Sequence, residues 1–382
     1  MTTDTTLQSE DNPLSNVLYI SFELSKKSWK LGFSDGDFEH IKIREISSRD
    51  IEQLAKEVRW AEEYFDLAED YEIRSCYEAG LDGFWLHRVL GDLGIQNIVV
   101  DPASIEVRRR KRRRKTDRLD ARRLVCQLIR YVGGDTRVWS VCQVPTRQDE
   151  DDRRIERELK RLKNERTQHV NRIKGLLSTR GLYMEVNDEL IESLDELVGR
   201  DRAGLGNQLK REIRREYERI QMVDQHIKAV EKERAHQIKQ RRDDEKIKKV
   251  KFLEMLHGIG EDSAWLLVME MFGWRQFDNR GQVGSYSGLT PTPHDTGQSR
   301  REQGICKAGN KWVRGRMVQL AWLWLQYQPD SELSQWYQRR FGDASRRQKR
   351  VGIVALARKL LVRLWRFVED GEVPNGAVLT QS

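Results

Sequence analysis

Apolar, β-branched and aromatic residues run from Val17 to Phe22 and again from Trp29 to Phe33, with Ser34-Asp35-Gly36 as a turn, and a similar run follows in IKIREI at residues 41–46. Short runs bounded by turn residues predict three strands in a meander. A helix is expected at about 48–68, then a strand ending at Glu78, a helix over FWLHRVLGDLG stopped by Gly94, a strand at IQNIVVDP and a helix from about Asp117. Three strands followed by alternating helix and strand build a mixed sheet covered by helices. From about residue 148 the period changes: Ile155, Leu159 and Leu162, and later Ile213, Tyr217, Ile220, Val223, Ile227 and Val230, recur at spacings of three and four among charged residues. That is a coiled-coil seam, serving either an intramolecular helical hairpin or an assembly of chains. A stretch with glycines and short apolar clusters, STRGLYMEVNDELIESLDELVGRDRAGLGNQ, separates the two long helices as a small insertion.

The element order of the first part is that of a ribonuclease H-like fold. Its carboxylates fall at telling places. Glu23 ends the first strand, Glu78 ends the fourth, and Asp117 and Asp120 stand three apart on one face of the helix that follows. Four acids converging on one sheet edge would repel one another unless a cation sat between them, and hard carboxylate oxygens are what Mg²⁺ prefers. The competing explanation is that Glu78 is a solvated strand end, and that Asp117 and Asp120 favour the dipole of their helix with no metal present.

Charge adds to this picture. The chain has 382 residues, enough for two or three domains, with 34% charged residues and a net charge of +8. A cationic excess suits a polyanionic partner. It is concentrated in the run Arg108, Arg109, Arg110, Lys111, Arg112, Arg113, Arg114 and Lys115, which cannot pack in a core and is either a solvated loop or a phosphate-binding segment beside the acids. The four cysteines lie far apart with no C-x-x-C pair, which points to a reduced cytosol, and no apolar stretch or signal pattern predicts a membrane span or export.

The last region opens with LEMLHGIGEDSAWLL. Gly258 and Gly260 permit the tight turn of a helix-hairpin-helix, whose second helix presents N-terminal amides to a phosphate, though a plain packing unit has the same pattern. YSGLTPTPHDTGQS, rich in Gly, Pro, Thr and Ser, reads as a loop, with the hydroxyls of Thr290, Thr292, Thr296 and Ser299 set among Arg300, Arg301, Lys307, Lys311 and Arg314. A hydroxyl among cations can attack a phosphodiester, and loop hydroxyls also merely cap and turn.

ELSKK after a strand, YEAGLDG, RRKTDRLDARRL, LHGIGEDSAWLL, SYSGLTPTPHDTG, GICKAGNKWVR and VALARKLL occur in an order that resembles the insertion-sequence transposases of the IS one-ten family and its IS eleven-eleven branch, relatives of the Piv DNA invertases. The resemblance implies an α/β plus α architecture: a RuvC-like, RNase H-like domain at 15–145 after a disordered tail at 1–14, a coiled-coil region at 146–250, a mainly helical transposase domain at 251–370 with a helix-hairpin-helix, and a tail at 371–382. It implies that Glu23, Glu78, Asp117 and Asp120 form an acidic Mg²⁺-binding tetrad and that Thr296 is the hydroxyl nucleophile. The partners implied are DNA, a guide-like non-coding RNA encoded by the element, and further copies of the chain in a dimer or tetramer, in a prokaryotic cytoplasm with no membrane. Two positions depart from the family's pattern, Glu23 for aspartate and Thr296 for serine, and Cys306 stands where Ser or Thr is expected. The same residues also fit a site-specific invertase, a junction nuclease or a catalytically impaired nucleic-acid-binding copy.

Overall fold

The computed structural model describes residues 16–80, 82–105, 117–296 and 299–380, with the backbone alone at 117, 118, 292–296 and 299–303. The expected tail at 1–14 and the basic run from Arg108 to Lys115 lie outside the described residues. The chain divides into two compact units, Met1–Val144 and Pro145–Ser382.

The first unit is α/β. Strands β1 (Val17–Glu23), β2 (Ser28–Ser34) and β3 (Ile41–Ser47) form an antiparallel meander, helix α1 (Ile51–Tyr64) returns the chain, and β4 (Glu72–Glu78), α2 (Trp85–Asp92) and β5 (Gln96–Val100) follow before α3 (Asp117–Val132). The sheet order is β3-β2-β1-β4-β5, with β4 parallel to β1 and β5 parallel to β4. Period-two alternation divides the residues between two cores. Leu18, Ile20 and Phe22 pack with Leu54, Val58, Leu86 and Leu90 from α1 and α2, whereas Val17, Tyr19 and Cys76 pack with Leu124, Val125 and Leu128 of α3. Helix α3 lies very close to the sheet. The buried Ser21 hydroxyl donates to the Ala121 carbonyl at 2.7 Å, and a β-carbon on Gly32 would come within 2.6 Å of Ser21 Oγ and 3.0 Å of that carbonyl.

The second unit begins with α4 (Arg147–Asp152) and the long helix α5 (Arg154–Ser178), then α6 (Asp188–Glu192) and α7 (Asn207–Gln240). The seam expected from the sequence closes within the chain, because α5 and α7 pair antiparallel. Ion pairs step along them in opposite directions, from Lys163–Glu231 at 2.9 Å through Arg166–Asp224 at 2.7 Å to Arg172–Glu216 at 2.9 Å. At one end Ile173, Leu177, Ile213 and Ile220 share a small core with Leu190 of α6 and Leu194. At the other, Ile155, Leu159, Val223 and Ile227 join the main core of the C-terminal helices. These are α8 (Glu245–Glu254), α9 (Glu261–Leu267), α10 (Arg280–Ser287), α11 (Lys311–Tyr327), α12 (Glu332–Phe341) and α13 (Arg346–Asp370). After α13 the chain is held down, with Thr380 N donating to Met255 O at 2.7 Å.

One sequence expectation is corrected here. The segment read as a loop after Thr290 is a hairpin of β6 (Pro291–Thr296) and β7 (Ser299–Ile305), paired from Pro291↔Ile305 to Thr296↔Ser299 with a register shift between Pro291 and Pro293. Prolines obscured the alternation, yet a two-stranded ribbon has two free edges on which a missing N–H costs no ladder bond. No described helix is long and apolar enough to cross a membrane.

Gly32→Ala should destabilise the first unit by about 1–3 kcal/mol, because neither the Ser21–Ala121 bond nor the backbone behind it can retreat cheaply. Urea unfolding followed by tryptophan fluorescence reads this, and an unaltered midpoint would show that α3 has slack above the sheet.

Candidate functional site

In the first unit the acids gather by register. The β1–β4 pairing runs from Val17↔Glu72 to Phe22↔Tyr77, so the next step sets Glu23 beside Glu78 at the ends of two parallel strands. Both share the alternation phase of Ser21 and Cys76, the positions that bond to carbonyls of α3 at Ala121 and Leu124. Burial, with the Glu78 carboxylate nearby, pushes the Cys76 thiol well above its ordinary range. Asp120 is the residue before Ala121, and its Oδ2 is buried with no hydrogen-bond partner among the described residues. Asp117 opens α3 one turn earlier, and its side chain lies outside the description. Among the described residues no three ligating side chains converge as a metal set. The donor chemistry nevertheless fits a hard cation: two strand-end carboxylates on one face of the sheet, and an unsatisfied carboxylate oxygen on the helix packed over that face.

In the second unit the β6–β7 hairpin rises from a rigid foot. Glu270, 1% exposed, lies in a π-helical turn, Val268–Phe272, that continues α9. Arg157 of α5 donates to it through Nε at 2.6 Å and Nη2 at 2.8 Å, and Asn310 Nδ2 donates to Oε2 at 2.8 Å. These bonds to Glu270 hold the Arg157 guanidinium above its ordinary pKa. The buried Tyr286 hydroxyl, its pKa raised by that burial, donates to the Glu270 carbonyl at 2.7 Å and accepts from Asn310 Nδ2 at 3.1 Å. Asn310 Oδ1 also caps α11, accepting from Trp312 N at 2.9 Å. Gly309 has no room for a side chain against Tyr286 O and Gly288 N, and Gly288 takes φ +65°. Cys306 N donates to Thr290 O at 2.9 Å, which closes the foot of the hairpin.

Of the hydroxyl residues singled out in the sequence, Thr290 and Thr292 fall at the foot of that hairpin, and Thr296 and Ser299 stand at its far end. Thr296 and Ser299 are cross-strand partners, so two residues that compete as nucleophile in the sequence are neighbours in the fold, with side chains outside the description. Arg300 and Arg301 lie in β7, also with side chains outside it. Lys307 and Lys311 are exposed, and the Lys311 ammonium sits 5.3 Å from the Trp312 ring centre. Arg314 is engaged structurally, its Nη1 donating to Lys307 O at 3.0 Å and Ser287 O at 3.3 Å. Gly258 turns the chain with φ +92°, and Gly260 precedes α9, whose first turn carries Glu261 and Asp262. Asp262 pairs with Arg234 of α7.

Residues 250–338 match the family described as Transposase IS116/IS110/IS902 family. A Sinorhizobium fredii protein named transposase y4rJ is 42% identical over 382 residues, which cover 95% of this chain and 94% of the relative. The chain belongs to the IS116/IS110/IS902 transposase family. Shorter matches join it to the transposase for insertion sequence element IS1328 of Yersinia enterocolitica, 31% identical over 30% of this chain and 34% of that one, and to the transposase for IS1111A of Coxiella burnetii, 26% identical over 41% and 42%. The family match at 250–338 spans α9, α10, the hairpin and α11, and so contains Glu270, Tyr286 and Asn310 but not Arg157.

Sequence reading missed this polar knot. Its one local signal was a lone acid within LLVMEMF, residues 266–272. Glu270→Ala should cost about 1.5–3 kcal/mol, because Arg157 and Asn310 lose a charged partner. Glu270→Gln, which keeps the shape, should cost less. Equal melting temperatures for Glu270→Ala and the unsubstituted protein would remove the knot from the account of hairpin placement.

Proposed function

We propose that this transposase cuts and rejoins DNA at the ends of an insertion sequence with an acidic cluster in its first unit and a hydroxyl in its second. The carrying observation is the 42% identity across 95% of the chain, since it spans both units and not the C-terminal family region alone. The first unit is read as RNase H-like, from a β3-β2-β1-β4-β5 sheet whose acids stand on parallel strand ends beneath α3. Glu23, Glu78, Asp117 and Asp120 would hold Mg²⁺, which when bound neutralises charge on a phosphodiester. The Thr296 hydroxyl gives up its proton and bonds to phosphorus, the bond to the leaving DNA oxygen breaks, and that oxygen takes up a proton. The resulting ester keeps the energy needed for rejoining. The C-terminal unit's glycine turn at Gly258 and Gly260 is read as a helix-hairpin-helix, and the run from Arg108 to Lys115 as a phosphate-binding segment. A guide-like non-coding RNA and a dimer or tetramer complete the reading, and both rest on the family resemblance alone.

A second reading has its own observation. Two departures at catalytic positions, Glu23 and Thr296, favour a copy that binds nucleic acid and cuts poorly. One extra methylene at Glu23 shifts the reach of its carboxylate, and small misplacements are expensive in catalysis.

Glu78→Gln should abolish strand cleavage in Mg²⁺ while DNA binding is retained, and full activity of that variant would remove the acids from the reaction. With a suicide DNA substrate the intact protein should form a covalent adduct that maps to Thr296. Thr296→Val should lose it with unchanged folding, and Thr296→Ser should retain or raise it. An adduct on Ser299 moves the nucleophile across the hairpin. Adduct formation by Thr296→Ser alone favours the impaired copy, and cleavage without any adduct favours a junction nuclease that uses water.

A further inference from the structure

The second unit carries a groove of about 1400 Å³ that none of the assigned site residues explains apart from Lys307 at its rim. Its walls are one face of α13, part of α12, the start of α10 and the foot of the β6–β7 hairpin. Of the 21 described residues that line it, ten are arginine or lysine and one, Glu332, is acidic. Glu332 and Glu372 pair with Arg363, Glu372 also pairs with Arg366, and the Lys359 ammonium sits 4.7 Å from the Trp336 ring centre. The remaining seven cations, among them Arg339, Arg347, Arg350 and Arg358, form no ion pair with another described residue. Folding does not require this concentration of charge: α13 buries Leu356, Leu360, Leu364 and Phe367 on its opposite face. Between the cations runs an aliphatic strip of Val351, 62% exposed, with Val354 and Val362 half-buried.

We infer that this groove binds a single-stranded segment of DNA, with its phosphates on the arginines and its unpaired bases against the aliphatic strip. The charge imbalance calls for a polyanion. The apolar strip distinguishes the strand form, because a duplex hides its base faces and offers phosphate and sugar, whereas an unpaired strand brings both kinds of surface at once. From Arg346 to Arg366 the helix rises about 30 Å at about 1.5 Å per residue, so the cations are spread over the length of several nucleotides and not gathered at one phosphate. The choice of DNA over RNA rests on the proposed function, since the groove begins at Pro291 and Ile305, the foot of the hairpin that carries Thr296. The strand held here is the one that leads to or from the attacked phosphate.

The test uses full-length protein in EDTA, where no metal-dependent cleavage intervenes, and fluorescence anisotropy with a labelled oligothymidylate, a duplex and an oligouridylate of equal length. Arg347→Gln, Arg350→Gln and Arg358→Gln together should weaken single-stranded DNA binding by about tenfold or more and reduce its log–log salt slope by about 2, from roughly 0.7 per phosphate contact. Duplex binding should change less. If Arg358 proves necessary for folding, the exposed pair Arg347 and Arg350 alone should still lower the slope by about 1.4. Unchanged single-strand affinity and slope in a folded variant would overturn the groove assignment. A larger loss for the duplex or for oligouridylate would overturn the choice of single-stranded DNA. Glu78→Gln should bind the oligothymidylate like the unsubstituted protein, so failure of the cleavage chemistry and failure of the groove are read separately.

Discussion

A carboxylate taken out of water must be met by charge and hydrogen bonds, and the placement of Glu270 organises the second unit around that requirement. It is met by Arg157 from α5 and Asn310 from the start of α11, while Tyr286 from α10 bonds to its carbonyl. Withdrawing Arg157 or Asn310 leaves the buried carboxylate short of its hydrogen bonds, which is why the elements are bound to one arrangement and not merely packed. Asn310 transmits the constraint furthest, because the same amide caps α11 and touches both Glu270 and Tyr286. The hairpin grows from between Tyr286 and Asn310, so its foot inherits a fixed position from a buried charge.

The first unit solves a similar problem by alternation. A strand assigns its residues to two faces by parity, so hydrophobic packing on the α1–α2 face dictates what α3 meets on the other. Leu18, Ile20 and Phe22 are committed to one core, which leaves Ser21 to bond α3 and Glu23 to end the strand in the same phase. Gly32 lets the helix descend far enough for that bond. The position of Asp120 is therefore a consequence of close packing one residue away, and its Oδ2, buried with no partner among the described residues, is a cost that the packing alone does not require.

What the sequence made legible follows the range of the interactions involved. Strand runs, the helix seam and the strand-end acids depend on neighbours within a few residues, and their periods are visible in the chain. The pairing of Arg157 with Glu270 spans 113 residues and leaves no periodic trace. The groove was hidden differently: nothing in the spacing of the arginines of α13 shows that α12 and the hairpin foot lie beside them. The hairpin was hidden by Pro291 and Pro293, residues that argue against a central strand but not against an edge. The seam was read correctly as a seam, and only the fold decides that its partner is the same chain.

The departure at Thr296 gains a structural side once the hairpin is known. In any setting threonine has fewer χ1 orientations than serine. At the last position of β6 they differ in backbone preference as well, because the β-branch of threonine favours extended conformations and restricts χ1. Were Thr296 the nucleophile proposed above, the residue that suits the end of a two-stranded ribbon would also be the one with fewer χ1 orientations open to its hydroxyl. The opposing residue, Ser299, is also a hydroxyl amino acid and has no β-branch. Both partners of that pair are alcohols in the sequence, so the threonine alone does not decide which of them the proposed chemistry would use.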